Sequence, residues 1–188
     1  MVYKDGSNPD HTDCELAILN SATAHAKMGD YGIRTPQQLN DLHETLKVRN
    51  VKYHGLPTEI DPNMMVRLGD KDGPLIGTVS LAERSKELPP DMGWGFIEGQ
   101  MGMGYATEAS RELLRFLTMD CGIKEILVWP DPGNIASNRV AQKIGFVPGG
   151  DVINLDKGGK LVPVLMLPDM TKLDGTKSIS FYGDSGAK

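Results

Sequence analysis

The middle of the sequence contains the glycine-rich turn Gly102-Met103-Gly104-Tyr105-Ala106-Thr107-Glu108-Ala109. A strand pattern from Met92 to Ile97 precedes this turn, and a helical pattern from Gly104 to Met119 follows it. Glycines let an anion approach the main chain, and the N–H groups and the macrodipole of a first helical turn attract negative charge. The turn therefore predicts an anion-binding site, although a tight strand-to-helix turn without a ligand has the same pattern.

Two common glycine motifs do not fit this turn. The P-loop requires Lys followed by Ser or Thr directly after its glycines, and neither pair is present. The dinucleotide-binding motif requires a third glycine where this sequence has Thr107, and too little chain follows Asp131 for a second nucleotide-binding half. The bound anion is therefore expected to belong to another class of ligand.

The patterns on either side of the turn predict an α/β fold with a mixed sheet. The predicted elements are helices at Cys14 to Leu19 and Gln37 to Leu46, a hairpin of Met64 to Leu68 and Pro74 to Leu81, the strand and helix around the glycine turn, a strand at Glu125 to Trp129, a helix at Asn134 to Ile144, and strands at Phe146 to Leu155 and Leu161 to Leu167. Antiparallel strands thus lead into a central βαβαβ portion.

We expect one domain over residues 1–173 and a polar C-terminal tail over residues 174–188. The first strand, Met1 to Tyr3, is short enough to lack part of an edge strand. Thr35 and Pro36 are the expected N-cap and first residue of the second helix, and Gly145 is expected to end the helix that starts near Asn134.

Composition excludes several classes of protein. The chain has 188 residues, is 39% hydrophobic and 24% charged, and carries a net charge of -5, which favours a folded domain without attraction to nucleic acid or to anionic membranes. Its cysteines, Cys14 and Cys121, are too far apart in sequence for a zinc motif, and the histidines have no metal-ligand spacing. We therefore predict a cytoplasmic protein without a metal.

Three ordered segments resemble the GNAT acyl-CoA N-acyltransferases, and within them the Rim-type ribosomal-protein N-terminal acetyltransferases. They are Asp91-Met92-Gly93-Trp94-Gly95-Phe96, the glycine turn, and Asn134-Ile135-Ala136-Ser137-Asn138-Arg139-Val140-Ala141-Gln142-Lys143-Ile144-Gly145-Phe146. The resemblance runs from about Leu75 to Val147. It implies a single GNAT-like domain in which two parallel strands, ending near Ile97 and Trp129, splay apart around the pantetheine arm of coenzyme A.

The resemblance also implies which residues bind acetyl-CoA. They are Phe96, Ile97, Met101, Gly102, Met103, Gly104, Tyr105, Ala106, Thr107, Asn134 and Arg139. Main-chain amides of the glycine turn would hold the pyrophosphate, and an N–H near Phe96 or Ile97 would stabilise the oxyanion. Asn134 would reach a pantetheine amide or cap its helix, and Arg139 would contact the ribose phosphate or lie in solvent.

Acyl transfer from a thioester to an amine needs a neutral amine, a stabilised oxyanion and a proton for the departing thiolate. The resemblance implies that Asp91 is the base, with an exposed strand-start carboxylate as the alternative. Many GNAT enzymes use a tyrosine as the acid where this sequence has Ala141, so a different acid, or water, must serve. The Rim-type branch resembles this chain in having a serine three residues after the asparagine, which makes Ser137 the candidate acid, with an ordinary helix cap as its alternative.

These residues predict an N-acetyltransferase that forms a ternary complex of acetyl-CoA and a primary amine. The amine is expected to be a protein N-terminus or a small molecule, and the acceptor is expected to contact Asn50 to Pro62, Gly29 to Gly32 and the final strands. A monomer or homodimer is expected. A non-catalytic acyl-CoA-binding module is the alternative, and the absence of the tyrosine favours it.

Overall fold

The computed structural model describes residues 1–3, 7–47 and 63–183. Within these residues the chain forms five α-helices and one eight-stranded sheet. The helices are α1 (Pro9–Leu19), α2 (Ala22–Met28), α3 (Pro36–Leu46), α4 (Tyr105–Arg115) and α5 (Ile135–Lys143). The strands are β1 (Val2–Tyr3), β2 (Met64–Arg67), β3 (Leu75–Ala82), β4 (Asp91–Phe96), β5 (Leu127–Val128), β6 (Val147–Asn154), β7 (Lys160–Met166) and β8 (Leu173–Ile179). None of the helices in this described part combines the length and apolar character that a membrane crossing requires.

The strand order in the sheet is β1-β2-β3-β4-β5-β7-β6-β8. The pairs β4–β5 and β6–β8 are parallel, and the other neighbouring pairs are antiparallel. The predicted α/β fold class is therefore confirmed, as are the hairpin of β2 with β3 and the parallel contact between β4 and β5.

Local sequence signals set the helix boundaries that position the site. Thr35 caps α3 in a capping box with Gln38, and Pro36 follows in the first turn, as the sequence predicted. Asn134 caps α5, and Gly145 follows that helix with a positive φ of 106°, a conformation that costs glycine little.

The alternation of β4 separates the two faces of the sheet. Met92 and Phe96 lie in the main core, which also contains Leu113 of α4 and Ala141 of α5. On the opposite face, a Cβ added to Gly95 would lie 2.6 Å from Cγ2 of Ile18, so α1 packs directly against the main chain of β4.

Three sequence predictions need correction. The polar tail expected after Leu173 begins instead with β8, which pairs in parallel with β6 and buries Ile179. Its alternate residues face solvent, so the segment reads as polar in sequence. The helix expected to run unbroken to Met119 changes at Phe116 to a π-helical turn. The helix α2 was not predicted at all.

Candidate active site

The sheet opens between β4 and β5. The two strands pair only at Asp91 and Leu127 among the described residues. The predicted strand Glu125 to Trp129 is longer than the observed β5, because its apolar run is buried by packing rather than by strand pairing. On either side of this gap, main-chain N–H and C=O groups of the described residues therefore have no hydrogen-bond partner on the facing strand.

The direction of those groups follows from one hydrogen bond. The N–H of Ile97 donates to the carbonyl oxygen of Ile76 over 3.0 Å, toward β3. Because N–H groups alternate in direction along a strand, the N–H of Phe96 points to the other side, into the gap. Of the two expected oxyanion donors, only the N–H of Phe96 therefore faces the gap, while that of Ile97 donates to β3.

The glycine turn follows β4 and begins α4. Gly104 is the N-cap residue with a φ of 92°, in the left-handed region, and no side chain caps the helix. A Cβ at Gly102 or Gly104 would meet no described atom within 4 Å, so the space beside these two glycines is not filled by the fold. The positive φ explains why glycine is needed there even though space is available.

The first turn of α4 leaves main-chain donors for an anion. The N–H groups of Thr107 and Glu108 both donate to the Gly104 carbonyl oxygen, over 3.0 and 3.1 Å. No hydrogen bond from the N–H of Tyr105 or Ala106 is found within the described residues. The amides available to a phosphate are therefore those before Thr107, whose own N–H already has a hydrogen-bond partner.

Apolar side chains surround the turn and the rim of the gap. Met103 is 66% exposed, Met101 40%, Ile97 36% and Ile135 56%. Exposed side chains of this size are suited to cover a ligand that carries apolar segments.

A cavity of about 150 Å³ lies at the N-terminal half of the gap. Residues from both faces of β4 line it, with Asp91 and Gly93 on one face and Met92 and Trp94 on the other. The segment Val128 to Pro132, at the end of β5, also lines it. Residues 98–107 do not line it. The candidate site therefore has two parts, the glycine turn and this cavity, which the gap joins.

Asp91 is buried in the wall of the cavity and is only 3% exposed. Nε of Arg84 lies 2.8 Å from its Oδ1 and donates to its Oδ2 over 3.1 Å. Burial raises the pKa of Asp91 above the ordinary value of 3.8, while the positive charge and hydrogen bond of Arg84 and a hydrogen bond from Trp129 oppose that rise. The carboxyl is thus not the exposed strand-start group that the alternative supposed.

Ser137 lies across the gap from Asp91, in the first turn of α5. Its hydroxyl oxygen accepts a hydrogen bond from Nε1 of Trp94 over 3.3 Å, and its N–H donates to Oδ1 of Asn134 over 3.2 Å. Asn134 is therefore the cap of α5, and Ser137 is not. Since Trp94 supplies a donor to the Ser137 oxygen, the hydroxyl hydrogen of Ser137 is left to be donated elsewhere.

The other residues singled out in sequence fall outside the cavity. Ala141 is fully buried in the main core, so its position offers no acid. Arg139 is exposed on α5 and forms no ion pair within the described residues. No group of three His, Cys, Asp or Glu side chains suited to a metal is found in the parts of the chain that the structure describes.

Sequence reasoning missed the aromatic wall of the cavity. Tyr31 stacks on Phe181 with ring centroids 3.6 Å apart, and the Arg84 guanidinium lies 5.0 Å from the Phe181 ring and 5.5 Å from that of Trp129. Tyr31, from the expected acceptor segment Gly29 to Gly32, lines the cavity, as do Asn154 of β6 and Val162 of β7, whereas Phe181 lies in the turn after β8. The third expected segment, Asn50 to Pro62, lies outside the described residues.

Known proteins share both sequence and architecture with this chain. Residues 8–147 match the family model described as an acetyltransferase (GNAT) domain. An uncharacterized N-acetyltransferase from Bacillus subtilis, YnaD, is 33% identical over 81 residues, which are 43% of this chain and 47% of that protein, so the match spans about half of that relative.

Two solved structures share the fold at low sequence identity. A single-residue mutant of the spermidine N-acetyltransferase SpeG from Vibrio cholerae has a TM-score of 0.59 and 13% identity, and the match covers 88% of this chain and 91% of that one. The structure of AAC(6')-Ib in complex with paromomycin and acetyl-CoA has a TM-score of 0.57 and 17% identity, with coverage of 84% and 88%. At these identities the likeness extends to the fold alone.

Proposed function

The chain belongs to the GNAT acetyltransferase family, and from that premise we propose that it transfers an acetyl group from acetyl-CoA to a primary amine by direct attack in a ternary complex. The observation that carries this proposal is the gap between β4 and β5, which joins an open glycine turn to a cavity with a buried carboxyl. One part suits the coenzyme and the other suits the amine.

The glycine turn is the proposed coenzyme site. The N–H groups at the start of α4 bind the pyrophosphate, with the positive end of the helix dipole behind them. The exposed side chains of Met101, Met103 and Ile97 cover the pantetheine arm on its way into the gap. Arg139 remains the proposed contact of the ribose phosphate, because it carries a free positive charge on the surface of α5.

Asp91 is the proposed base. Its carboxylate removes a proton from the substrate ammonium, directly or through a water molecule, so that the neutral amine can attack the acetyl carbon. Burial raises the pKa of this carboxyl, which makes its ionised form a better proton acceptor near neutral pH. Arg84 holds the carboxylate in place, and its positive charge favours the ionised form.

The N–H of Phe96 and the hydroxyl of Ser137 complete the proposed chemistry. As the nitrogen–carbon bond forms, the carbonyl electron pair moves to the oxygen, and the N–H of Phe96 stabilises that charge from the edge of β4. The oxygen pair then returns and the carbon–sulfur bond breaks. The nitrogen releases its second proton to water to give the neutral amide, and Ser137 donates its proton to the sulfur. Ser137 recovers a proton from solvent, and Trp94 keeps its oxygen oriented throughout.

A non-catalytic acyl-CoA-binding module is the second candidate. It is favoured by one observation, the burial of Ala141 where many relatives have an acidic tyrosine. Such a module would keep the glycine turn and lose the requirement for a base and an acid in the gap.

The acceptor in this proposal is either a protein N-terminal α-amine, as the resemblance to the Rim-type branch suggests, or a small amine. Of the two structures named above, one is a spermidine N-acetyltransferase and the other holds paromomycin together with acetyl-CoA. The two alternatives predict different requirements for size, because a protein N-terminus must reach the cavity as an extended chain.

Thiol release from acetyl-CoA tests the proposal. The protein is incubated with acetyl-CoA and a panel of amino acids, polyamines and N-terminal peptides, and free coenzyme A is followed with a chromogenic thiol reagent. Sustained, amine-dependent release supports the enzyme. Binding of acetyl-CoA in calorimetry without release for any amine supports the binding module instead.

A further inference from the structure

The residues that line the cavity include more cations than carboxylates. Among the described residues, the cations Lys27, Arg84 and Lys157 line it, against the carboxylates Asp91 and Asp131. Asp91 pairs with Arg84 at 2.8 Å, and Asp131 pairs with Lys157. Both carboxylates are thus neutralised within the wall, and one cation is in excess.

The excess cation is Lys27, in the last turn of α2. Its ammonium forms no ion pair within 4.0 Å in the part of the chain that the structure describes. It interacts electrostatically with Asp131, which already pairs with Lys157. The cavity wall therefore presents a free positive charge to whatever occupies it.

The uncharged part of the wall is aromatic. Tyr31, Trp94, Trp129 and Phe181 line the cavity and leave room for a compact apolar group in its volume of about 150 Å³. A polyamine would bring two or more further positive charges against this surface, where both carboxylates that line the cavity already pair with cations.

We infer that the acceptor is a compact monoamine that carries a carboxylate and an apolar or aromatic body, with a free α-amino acid as the simplest case. This inference rests on the proposed acetyl transfer. The carboxylate of the acceptor pairs with Lys27, its apolar body packs on the aromatic wall, and its amine lies toward Asp91 and the gap.

Matched amines test the inference. L-phenylalanine, phenethylamine and spermidine are compared for kcat/KM by thiol release over a range of pH, which corrects for the fraction of neutral amine. We expect phenylalanine to exceed phenethylamine by roughly tenfold or more, because a charged hydrogen-bond partner is lost in the second compound. Spermidine should be the poorest substrate. Phenethylamine or spermidine equal to or better than phenylalanine overturns the inference and leaves the acetyltransferase proposal standing.

Variants of Lys27 and Asp131 test whether the carboxylate of the acceptor binds next to Lys27. Lys27→Gln should raise the KM for phenylalanine about 2- to 5-fold and leave phenethylamine unaffected, with Lys27→Arg restoring the wild-type value. Asp131→Asn should act in the opposite direction, because it keeps an oxygen for the N–H of Gly133 and removes a negative charge. Lys71→Gln, at the exposed turn between β2 and β3, is the matched control and should change nothing.

The outcomes distinguish a failure of the inferred carboxylate contact from a failure of the proposed acetyl transfer. Equal effects of Lys27→Gln on phenylalanine and phenethylamine overturn the carboxylate contact, even if both are acetylated. Absence of thiol release with every amine, together with binding of acetyl-CoA, overturns the proposed function and the inference with it.

Discussion

The hydroxyl of Ser137 can be tested apart from helix capping, because Asn134 makes the capping contact. We predict that Ser137→Ala lowers turnover by about 10²-fold, the lower end for loss of an acid, with little change in coenzyme affinity. The free energy of unfolding should change little, since only the hydrogen bond from Trp94 is lost. Steady-state kinetics and chemical denaturation measure the two quantities. Turnover within twofold of wild type would remove Ser137 from the mechanism.

Asp91 is the residue whose role depends most on pH. We predict that Asp91→Asn lowers the rate most below the pKa of the amine and that raising the pH partly restores it, because a neutral amine needs no base. The pH–rate profiles of the variant and the wild type, measured with the same amine, provide the check. An equal loss at every pH would assign Asp91 to structure, as the residue that fixes Arg84.

The same carboxyl predicts a pH effect on stability. Its pKa is raised in the folded protein, so between the unfolded value of about 3.8 and the folded value the native state binds more protons than the unfolded state. The contribution of Asp91 to the free energy of unfolding is therefore fully present below the unfolded pKa and is lost as the pH rises through the folded pKa. Urea denaturation over this range should show this fall in the wild type and not in Asp91→Asn.

At the scale of elements, the glycine turn and the first turn of α4 act as one unit. We predict that Gly104→Glu abolishes acetyl-CoA binding in calorimetry, because it places a side chain and a negative charge at the N-cap of α4, next to the amides proposed to bind the pyrophosphate. Gly69→Glu is the matched control, since Gly69 also has a positive φ, 81° against 92° for Gly104, and open space around it. Undiminished affinity in Gly104→Glu would place the pyrophosphate elsewhere.

The contact of α1 with β4 sets the shape of the strand that carries the site. We predict that Gly95→Ala lowers the free energy of unfolding by about 1–3 kcal/mol, because the new Cβ would lie 2.6 Å from Ile18. Gly93→Ala is the milder comparison, with its nearest atom, Oγ of Ser80, at 3.1 Å. Equal denaturation midpoints for the two variants would mean that α1 shifts freely.

Sequence patterns predicted the elements whose signals are local. The capping pair Thr35 and Pro36 fixed the start of α3, and the glycine turn marked the start of α4. The strand β8 was not predicted, because alternate residues along it are polar and because it pairs with β6, which is not its neighbour in the sequence. The short helix α2 offers only one buried residue, Ala24, and so no apolar period to detect.

In the candidate site, too, local features were predicted from the sequence and long-range contacts were not. The turn is a local motif and was predicted, whereas the environment of Asp91 depends on Arg84, which lies outside every strand and helix. The main-chain oxygen of Phe181, 97 residues further along the chain, accepts a hydrogen bond from Arg84. No pattern in a single sequence indicates a contact between positions so far apart.

At the scale of the whole molecule, the chain carries a net charge of -5, yet its cavity has an excess of one cation among the described residues. The overall field repels an anionic substrate weakly, and salt screens that repulsion beyond about 10 Å. The short-range charge of Lys27 acts within that distance. The preference for a carboxylate should therefore persist, with a modest fall, as ionic strength rises from 0.05 to 0.2 M in the thiol-release assay.

Coenzyme binding should also stabilise the whole fold, because the glycine turn and the gap exist only in the native state. At 100 times its dissociation constant, a ligand adds about 2.7 kcal/mol to the free energy of unfolding, which for a chain of this size raises the Tm by about 5–10 °C. We predict such a shift with acetyl-CoA for the wild type and for Ser137→Ala, and none for Gly104→Glu. Differential scanning calorimetry measures all three. A lost shift in Ser137→Ala would mean that this residue binds the coenzyme as well as protonating its sulfur.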